Sequence, residues 1–408
     1  MSRIIGMNSF MGVKLKPLEP KKTTTDEIDH REYQKQYNYN PFQDKCYSRE
    51  KIRNHERFHL IQRFVAELED KNVYATRRNI SGTPFGNVEK VKNDKVYALK
   101  KMRQVSTSDD IPKSVLHEIY MLRKLRHANV IKLFSCCVSK CEKNYRTFYL
   151  RMKLGKCDLD QLMFTVEVQF YTNEIKILAL SLLEGLAFIH SKGIMHCNIS
   201  PSNIVVTNQG VLKIINFERA CDYNENGPNK KKPKRFNNGY NAPELYLKDI
   251  NYGPGIDMWG AGIIIMEMFV RQRLIMGEGS LEQLNNMARL FGKINTWVSI
   301  IRTILISKHF QVYPRCDELP EYESYKKYVY SSKYPLFCSF LTIWVPKKIY
   351  KLIESLLGEM TNLYPPHRLS ASDALKCPWF NMSPPPEKNV LSLMGRIPVS
   401  MSATVKSS

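Results

Sequence analysis

The sequence predicts an α+β chain built as two lobes, a small β-rich one followed by a larger α-helical one. The order of its segments carries this reading: β-branched and aromatic runs gather in the first third of the 408 residues, and helical patterns fill the remainder. Composition agrees, since 43% hydrophobic and 25% charged residues describe a globular chain able to bury a sizeable core.

Residues 1–55 are rich in Lys, Tyr, Asn, Gln and Thr, and carry too little apolar surface to offset chain entropy, so they read as a disordered basic extension. Over 56–72, Phe58, Ile61, Phe64, Val65 and Leu68 recur at helical spacing and predict an amphipathic helix. The small lobe, 73–152, has strands expected at Val88–Val91 and Val96–Met102 about the polar turn Asn93-Asp94, and a further one at Thr147–Met152. A helix from Ser114 to Arg126 turns Val115, Ile119 and Leu122 inward.

The helical lobe spans 153–382. Glu174–His190 repeats aliphatic residues after Thr172-Asn173 and stops at Gly193. Gly260–Val270 is the best apolar run, but it is shorter than the ~20 residues a membrane span needs and contains Glu267, so no span is expected. Ser280 and Gln283 offer a capping box ahead of Leu284, Met287 and Leu290. Lys347–Leu357 and Ser370–Leu375 predict the last helices, and Lys293–Val345 reads as an insert without assignment. Residues 383–408 open on Ser383-Pro384-Pro385-Pro386 and read as a disordered tail.

Lys and Arg outnumber Asp and Glu 61 to 39, a net charge of +22 that attracts acidic partners: nucleic acid, anionic lipid or acidic protein. The densest run, Lys230-Lys231-Lys232-Pro233-Lys234-Arg235, has three readings: a nuclear-import signal, a nucleic-acid contact or a solvated loop. Neither aromatic interleaving nor zinc-finger spacing supports base reading. The ten cysteines are scattered as expected of reduced intracellular thiols, and Cys136, Cys137 and Cys141 lack a fourth ligand at zinc spacing. Met1–Gly12 shows no secretory-signal pattern.

Along 73–382, Val96–Lys100 with Glu118, His196–Asn203, Asn216–Glu218, Ala242–Glu244, Asp257–Gly262 and Arg368 follow in an order that resembles the eukaryotic protein kinase superfamily, which implies the two-lobed protein kinase-like fold. Val96-Tyr97-Ala98-Leu99-Lys100 resembles the strand bearing the phosphate-binding lysine, and Glu118 the helix glutamate that pairs with it. Pro112–Glu118 is similar to the cyclin-contacting helix motif of cyclin-dependent kinases. His196-Cys197-Asn198-Ile199-Ser200-Pro201-Ser202-Asn203 takes the place of the catalytic loop, and Asn216-Phe217-Glu218 that of the metal-binding motif. Ala242-Pro243-Glu244 closes the activation segment, Asp257–Gly262 opens the buried anchoring helix, and Arg368 stands where the family pairs an arginine with Glu244. Two branches share the likeness. Pro112–Glu118, the compact activation segment and Arg273-Leu274 through Leu284 point to cyclin-dependent kinases. Gly239–Glu244, Ile256–Trp259 and Leu290-Phe291-Gly292 are similar to the cell-division-control kinase that fires replication origins.

The resemblance implies ATP as the nucleotide. It assigns Val88, Ala98 and Val205 to the adenine-sandwiching positions and Met152 to the gatekeeper, and it retains Lys100, Glu118 and Asn203. The departures matter more. Asn198 stands where the family has its catalytic aspartate; a neutral amide accepts no proton near pH 7, and losing a general base costs on the order of 10²–10⁴ in rate. Asn216 replaces the metal-binding aspartate, so Mg²⁺ at Asn203 and Asn216 is expected to be weak or absent. Ser200 replaces the catalytic-loop lysine that would stabilise the transferring phosphoryl group. The glycine-rich loop, Ile80–Val88, fits its pattern only if Pro84 is inserted or Thr83 replaces a glycine.

Cys197 occupies the place of the arginine that receives an activation-segment phosphate, and Phe217–Gly239 contains no Ser or Thr and only Tyr223. In this family His196 and Phe217 stack with Leu122 as a core spine, which implies packing rather than catalysis. The expected function is a catalytically impaired kinase homologue acting as a scaffold or allosteric regulator in cell-cycle signalling, with a cyclin-like protein partner docking on residues 112–126. The alternatives are an atypical active Ser/Thr kinase and a nuclear nucleic-acid-associated protein using the basic run. A nuclear or cytoplasmic location is expected, with the nucleus favoured.

Overall fold

A computed structural model describes residues 69–70, 76–83, 86–92, 96–106, 113–138, 145–164, 168–223, 239–250, 252–277, 279–291, 336–386 and 389–397. In the small lobe, β1 (Glu69–Asp70), β2 (Thr76–Thr83), β3 (Gly86–Lys92), β4 (Val96–Ser106), β5 (Leu133–Val138) and β6 (Tyr145–Lys153) form one six-stranded sheet in the order β1-β5-β6-β4-β3-β2. Each strand read from the sequence is present; β3 and β6 extend beyond the reading at both ends and β4 at its C-terminal end. The sequence does not foretell β2 or β5, because β2 is mostly polar and β5 has no alternation; pairing with their neighbours builds them. β1 pairs in parallel with Cys137 and Val138 of β5, which corrects the helix expected over 56–72: its end is an edge strand. Backbone bonds along β5 outweigh the periodicity there, and the rest of that predicted helix lies outside the described residues, as do 1–55 and the basic run at 230–235.

Between β4 and β5 runs α1 (Lys113–Lys124), with Val115, Ile119 and Leu122 buried as read from the sequence and Arg123 and Lys124 in its last turn, where the helix dipole favours cations.

The large lobe contains α2 (Leu159–Phe164), α3 (Thr172–Ser191), α4 (Pro243–Tyr246), α5 (Gly255–Val270), α6 (Ser280–Phe291), α7 (Leu336–Trp344), α8 (Tyr350–Met360), α9 (Ala371–Ala374) and α10 (Leu391–Gly395). Short strands β7 (Cys157–Asp158), β9 (Ile204–Val206) and β10 (Leu212–Ile214) form one small sheet, and β8 (Ile194–Met195) pairs with β11 (Cys221–Asp222). Those two sheets frame the chain on either side of the catalytic-loop motif. α5 is buried along nearly its whole length, and Gly260 explains how the loop reaches it: a Cβ there would lie 3.0 Å from the Ile199 carbonyl oxygen. A helix-interior glycine costs about 0.5–1 kcal/mol, and close packing of the loop against α5 is what this one permits. No helix among the described residues is long and apolar enough to cross a membrane.

Two further expectations are corrected. α6 begins at Ser280 as read, but Gln283 makes no capping box: its Oε1 accepts from the Gly239 N–H at 3.0 Å and from the Tyr246 hydroxyl, and its Nε2 donates to the Gly277 carbonyl at 2.6 Å. Burial of three polar groups around it outweighs the local cap. The tail is not loose through 397. Val390, Leu393, Met394 and Ile397 join the main core, Arg396 pairs with buried Glu174, and Lys176 donates to the Met382 and Pro384 carbonyls. Too few apolar residues stand here to signal order by composition, yet those present join the core, and Val390 donates its N–H to the Gly210 carbonyl at 3.0 Å. Within the insert, α7 buries Phe337 and Leu341 beside α6 and α8.

Candidate active site

β4 places Lys100 opposite Val88 on β3 and Leu150 on β6. Its ammonium group donates to both Glu118 oxygens, at 2.9 and 2.8 Å, and to Asn216 Oδ1 at 2.9 Å. Glu118 is fully buried, so the desolvation of its charge is met by this pairing. Asn216 sits in the left-handed region (φ 67°), which asparagine tolerates better than most residues. Its Nδ2 donates to Asn203 Oδ1 at 3.0 Å, and Asn203 Nδ2 donates to the Asn198 carbonyl at 2.8 Å. One chain of bonds thus runs Glu118, Lys100, Asn216, Asn203, Asn198.

That chain tests whether a divalent cation fits. The two side chains in ligand positions offer neutral amide oxygens, and each already accepts a hydrogen bond from a protein nitrogen. A carboxylate at 216 would present a second acceptor where the amide presents a donor. Hard cations favour carboxylate over neutral amide oxygens, so this donor set is poorer for Mg²⁺ than one with an aspartate at 216.

The catalytic-loop motif is anchored from below. Asp257 on α5 accepts the backbone N–H of His196 at 2.8 Å and of Cys197 at 2.9 Å, and also faces His190 at 3.0 Å. Burial alone would push its carboxyl up, but the His190 hydrogen bond, the two histidines and the His196 N–H hold it below the usual range. Burial pushes the pKa of fully enclosed His196 down; its Nε2–H donates to the Ile215 carbonyl at 2.9 Å, and its ring packs edge-on against Phe217. That is a structural role. Asn198 and Ser200 are both buried, and Ser200 Oγ lies 3.1 Å from Ser202 Oγ, so no cation stands where the family's lysine would.

Ala98 and Met152 are register partners on β4 and β6 and both are buried. Val205 lies on β9, and the chain leaving β6 presses onto it: a Cβ on Gly155 would come within 2.8 Å of the Val205 Cβ. The structure therefore brings Lys100, Glu118, Asn203 and Asn216 into one side-chain network and Ala98 with Met152 into one wall, with Val88 on the adjoining strand; Asn198 and Ser200 join the network through their carbonyls, which accept from Asn203. Thr83 is the register partner of Gly86 in the antiparallel pair of β2 and β3, and Pro84 lies outside the described residues.

Sequence reading missed Gly155, although a glycine just after a buried strand is a signal of close approach. It also missed two links from α1 to the start of the activation segment. The His117 ring lies 2.6 Å from the Ala220 carbonyl, and Lys124 donates to Asp222 at 3.0 Å. Neither contact has a sequence signature. At the other end of that segment Arg368 clasps Glu244 at 2.6 and 3.0 Å, the pairing the sequence anticipates. Beside it the Tyr240 hydroxyl donates to Glu267 at 2.7 Å; burial first, and then nearby Asp160, push the Glu267 carboxyl up to about 7 against the bonds from Leu274 and Tyr240.

A model of the protein kinase domain matches residues 74–380. Cyclin-dependent kinase 9 of Xenopus tropicalis is 31% identical over 341 residues, covering 79% of this chain and 85% of that protein. The CTD kinase subunit alpha of Saccharomyces cerevisiae is 29% identical over 335 residues, covering 80% of this chain and 58% of that one. Among solved structures, the yeast RNA Pol II CTD kinase CTDK-1 complex superposes with a TM-score of 0.63 at 26% identity, covering 76% of this chain and 94% of its own. The lysine–glutamate pair, the buried Arg368–Glu244 clasp and these likenesses converge, and the chain belongs to the protein kinase family as a cyclin-dependent-kinase-like member.

Proposed function

We propose that this chain is a pseudokinase: a cyclin-dependent-kinase-like scaffold or allosteric regulator that transfers phosphate poorly or not at all. The observation that carries this is the amide of Asn216, which gives its one acceptor to Lys100 and its donor to Asn203, and so fills with protein bonds the place a metal would take. Asn198 supplies no base and Ser200 no cation, so proton acceptance, metal binding and phosphoryl stabilisation are lost together. ATP remains a ligand in this reading, held through Ala98, Met152, Val205 and Lys100 without dependence on Mg²⁺. The partner is cyclin-like and reads residues 112–126, where α1 already holds Glu118 on Lys100. Likeness to proteins named for the RNA Pol II CTD supports a nuclear setting.

A second reading, an active Ser/Thr kinase on altered residues, is favoured by the assembled Lys100–Glu118 and Arg368–Glu244 pairs, which an inactive chain has no catalytic reason to keep. Radiolabel transfer from ATP, with and without a cyclin-like partner, separates the two. We expect none above background. Activity within about tenfold of ordinary kinase turnover, a kcat of roughly 1–100 per second, and abolished by Lys100→Met, establishes the second reading instead.

A further inference from the structure

Cys197 and Cys221 come from different parts of the chain, and their sulfurs lie 3.4 Å apart. Cys197 is in the catalytic-loop motif with φ 61°, its N–H fixed by Asp257. Cys221 is on β11, whose register partner is Met195, two residues before Cys197. Pairing of β8 with β11 therefore presets the approach, and closure to a bond of about 2.0–2.05 Å needs only side-chain motion of the order of an ångström. Cys221 is buried, whereas Cys197 is half-buried and lines a small open cavity with Asn198, Tyr240 and Asn241. Tyr252 faces both thiols: burial, then each of the two sulfurs, pushes its hydroxyl up.

We propose that Cys197 and Cys221 form an oxidative modification site, a thiol pair that a small hydroperoxide converts to a reversible disulfide. Hydrogen peroxide oxidises the Cys197 thiol to a sulfenic acid and leaves as one water. The Cys221 sulfur then displaces the hydroxyl, its proton leaving with that group as a second water, so two thiols and one peroxide give one disulfide and two waters. Position gives the bond its effect. Cys221 stands between Ala220 and Asp222, the two residues held by His117 and Lys124 of α1. The disulfide staples the catalytic loop to the base of the activation segment, and through those contacts to α1. The site thus takes the place of the phosphate-receiving arginine with a redox-controlled link, as intracellular disulfides are transient and regulatory.

The test uses the full chain, treated with hydrogen peroxide, alkylated and digested without reduction. The expected result is a linked peptide pair containing Cys197 and Cys221, lighter by two hydrogens, reversed by dithiothreitol, and accompanied by at least tenfold slower amide exchange over 217–223. Cys197→Ser or Cys221→Ser is expected to remove both signals while leaving the unoxidised exchange pattern unchanged. Because the linked peptide is sought in the unsubstituted chain, the result does not depend on either variant folding. Sulfenic or sulfinic acid at Cys197 with Cys221 still alkylated, or linkage of either residue to another cysteine, overturns the proposal.

Discussion

Asn216→Asp exchanges one atom group and reverses the logic of the site. In the unliganded chain the change removes the 3.0 Å bond from Nδ2 to Asn203 Oδ1 and sets two acceptors against each other. Leaving a buried acceptor without its donor costs about 1–3 kcal/mol. A charged oxygen strengthens the contact to Lys100, but that ammonium already serves both Glu118 oxygens, so the gain offsets no more than about 1 kcal/mol. The net loss is about 1 kcal/mol, a fall in Tm of roughly 2–4 °C for a domain of this class. Magnesium then changes the sign. With a carboxylate and the freed Asn203 oxygen available, Mg²⁺ with ATP at about a hundred times its Kd returns about 2.7 kcal/mol. Differential scanning fluorimetry of both chains, with ATP alone and with ATP and Mg²⁺, reads this directly. The natural chain is expected to show the same Tm with and without the metal, and Asn216→Asp a Mg²⁺-dependent rise of several degrees. A Mg²⁺-dependent rise in the natural chain as large as in the variant would refute the argument that protein bonds occupy the metal position.

Arg368→Ala leaves Glu244 buried without its partner and is expected to cost about 3–5 kcal/mol by urea denaturation; a loss under 1 kcal/mol would show that solvent reaches Glu244. Arg396→Ala is expected to cost about 1–2 kcal/mol and to raise amide exchange over 389–397, whereas an unchanged pattern would mean that the apolar residues of α10 dock it alone. Glu267 carries a pH signature. Its folded value, about 7, lies above the ordinary carboxyl value, so the native state binds the extra proton between the two and loses stability as pH rises through that window. Relative to Glu267→Gln, the natural chain should lose on the order of 1–3 kcal/mol between pH 5 and pH 8, and a difference independent of pH would remove the assignment.

The sequence speaks clearly where a residue's role is set by a motif and poorly where it is set by a neighbour far along the chain. Lys100, Glu118, Asn203, Asn216, Glu244 and Arg368 are each legible because a fixed spacing gives them partners, and the structure joins them in two networks. α5 is legible because a helix buried nearly all round must be apolar nearly all round, and α3 because its aliphatic residues recur between a start and a stop signal. β1 is not, because two residues added to an edge need only backbone groups, which every sequence has. Gln283 misleads because the spacing of a cap is also the spacing of a residue turned inward. α10 hides for a related reason: the four buried apolar residues of 390–397 and Arg396 are enough when α3 already presents Glu174.

Charge explains why the three substitutions at this site belong together under the proposed reading. A carboxylate at 216 beside Glu118 leaves Lys100 facing two negative groups, an arrangement that a divalent cation and phosphates would complete. The asparagine removes one of them, so Lys100 and Glu118 balance, and the side-chain oxygens and amide nitrogens of Glu118, Asn216 and Asn203 have protein partners before any ligand arrives. With no phosphates to stabilise, a lysine at 200 would be an uncompensated buried cation, and Ser200 avoids that cost. The site is then a finished part of the core. Because α1 touches it through Glu118 and touches the activation segment through His117 and Lys124, a protein bound on residues 112–126 is registered at both places without nucleotide turnover, which is what a kinase-shaped regulator requires.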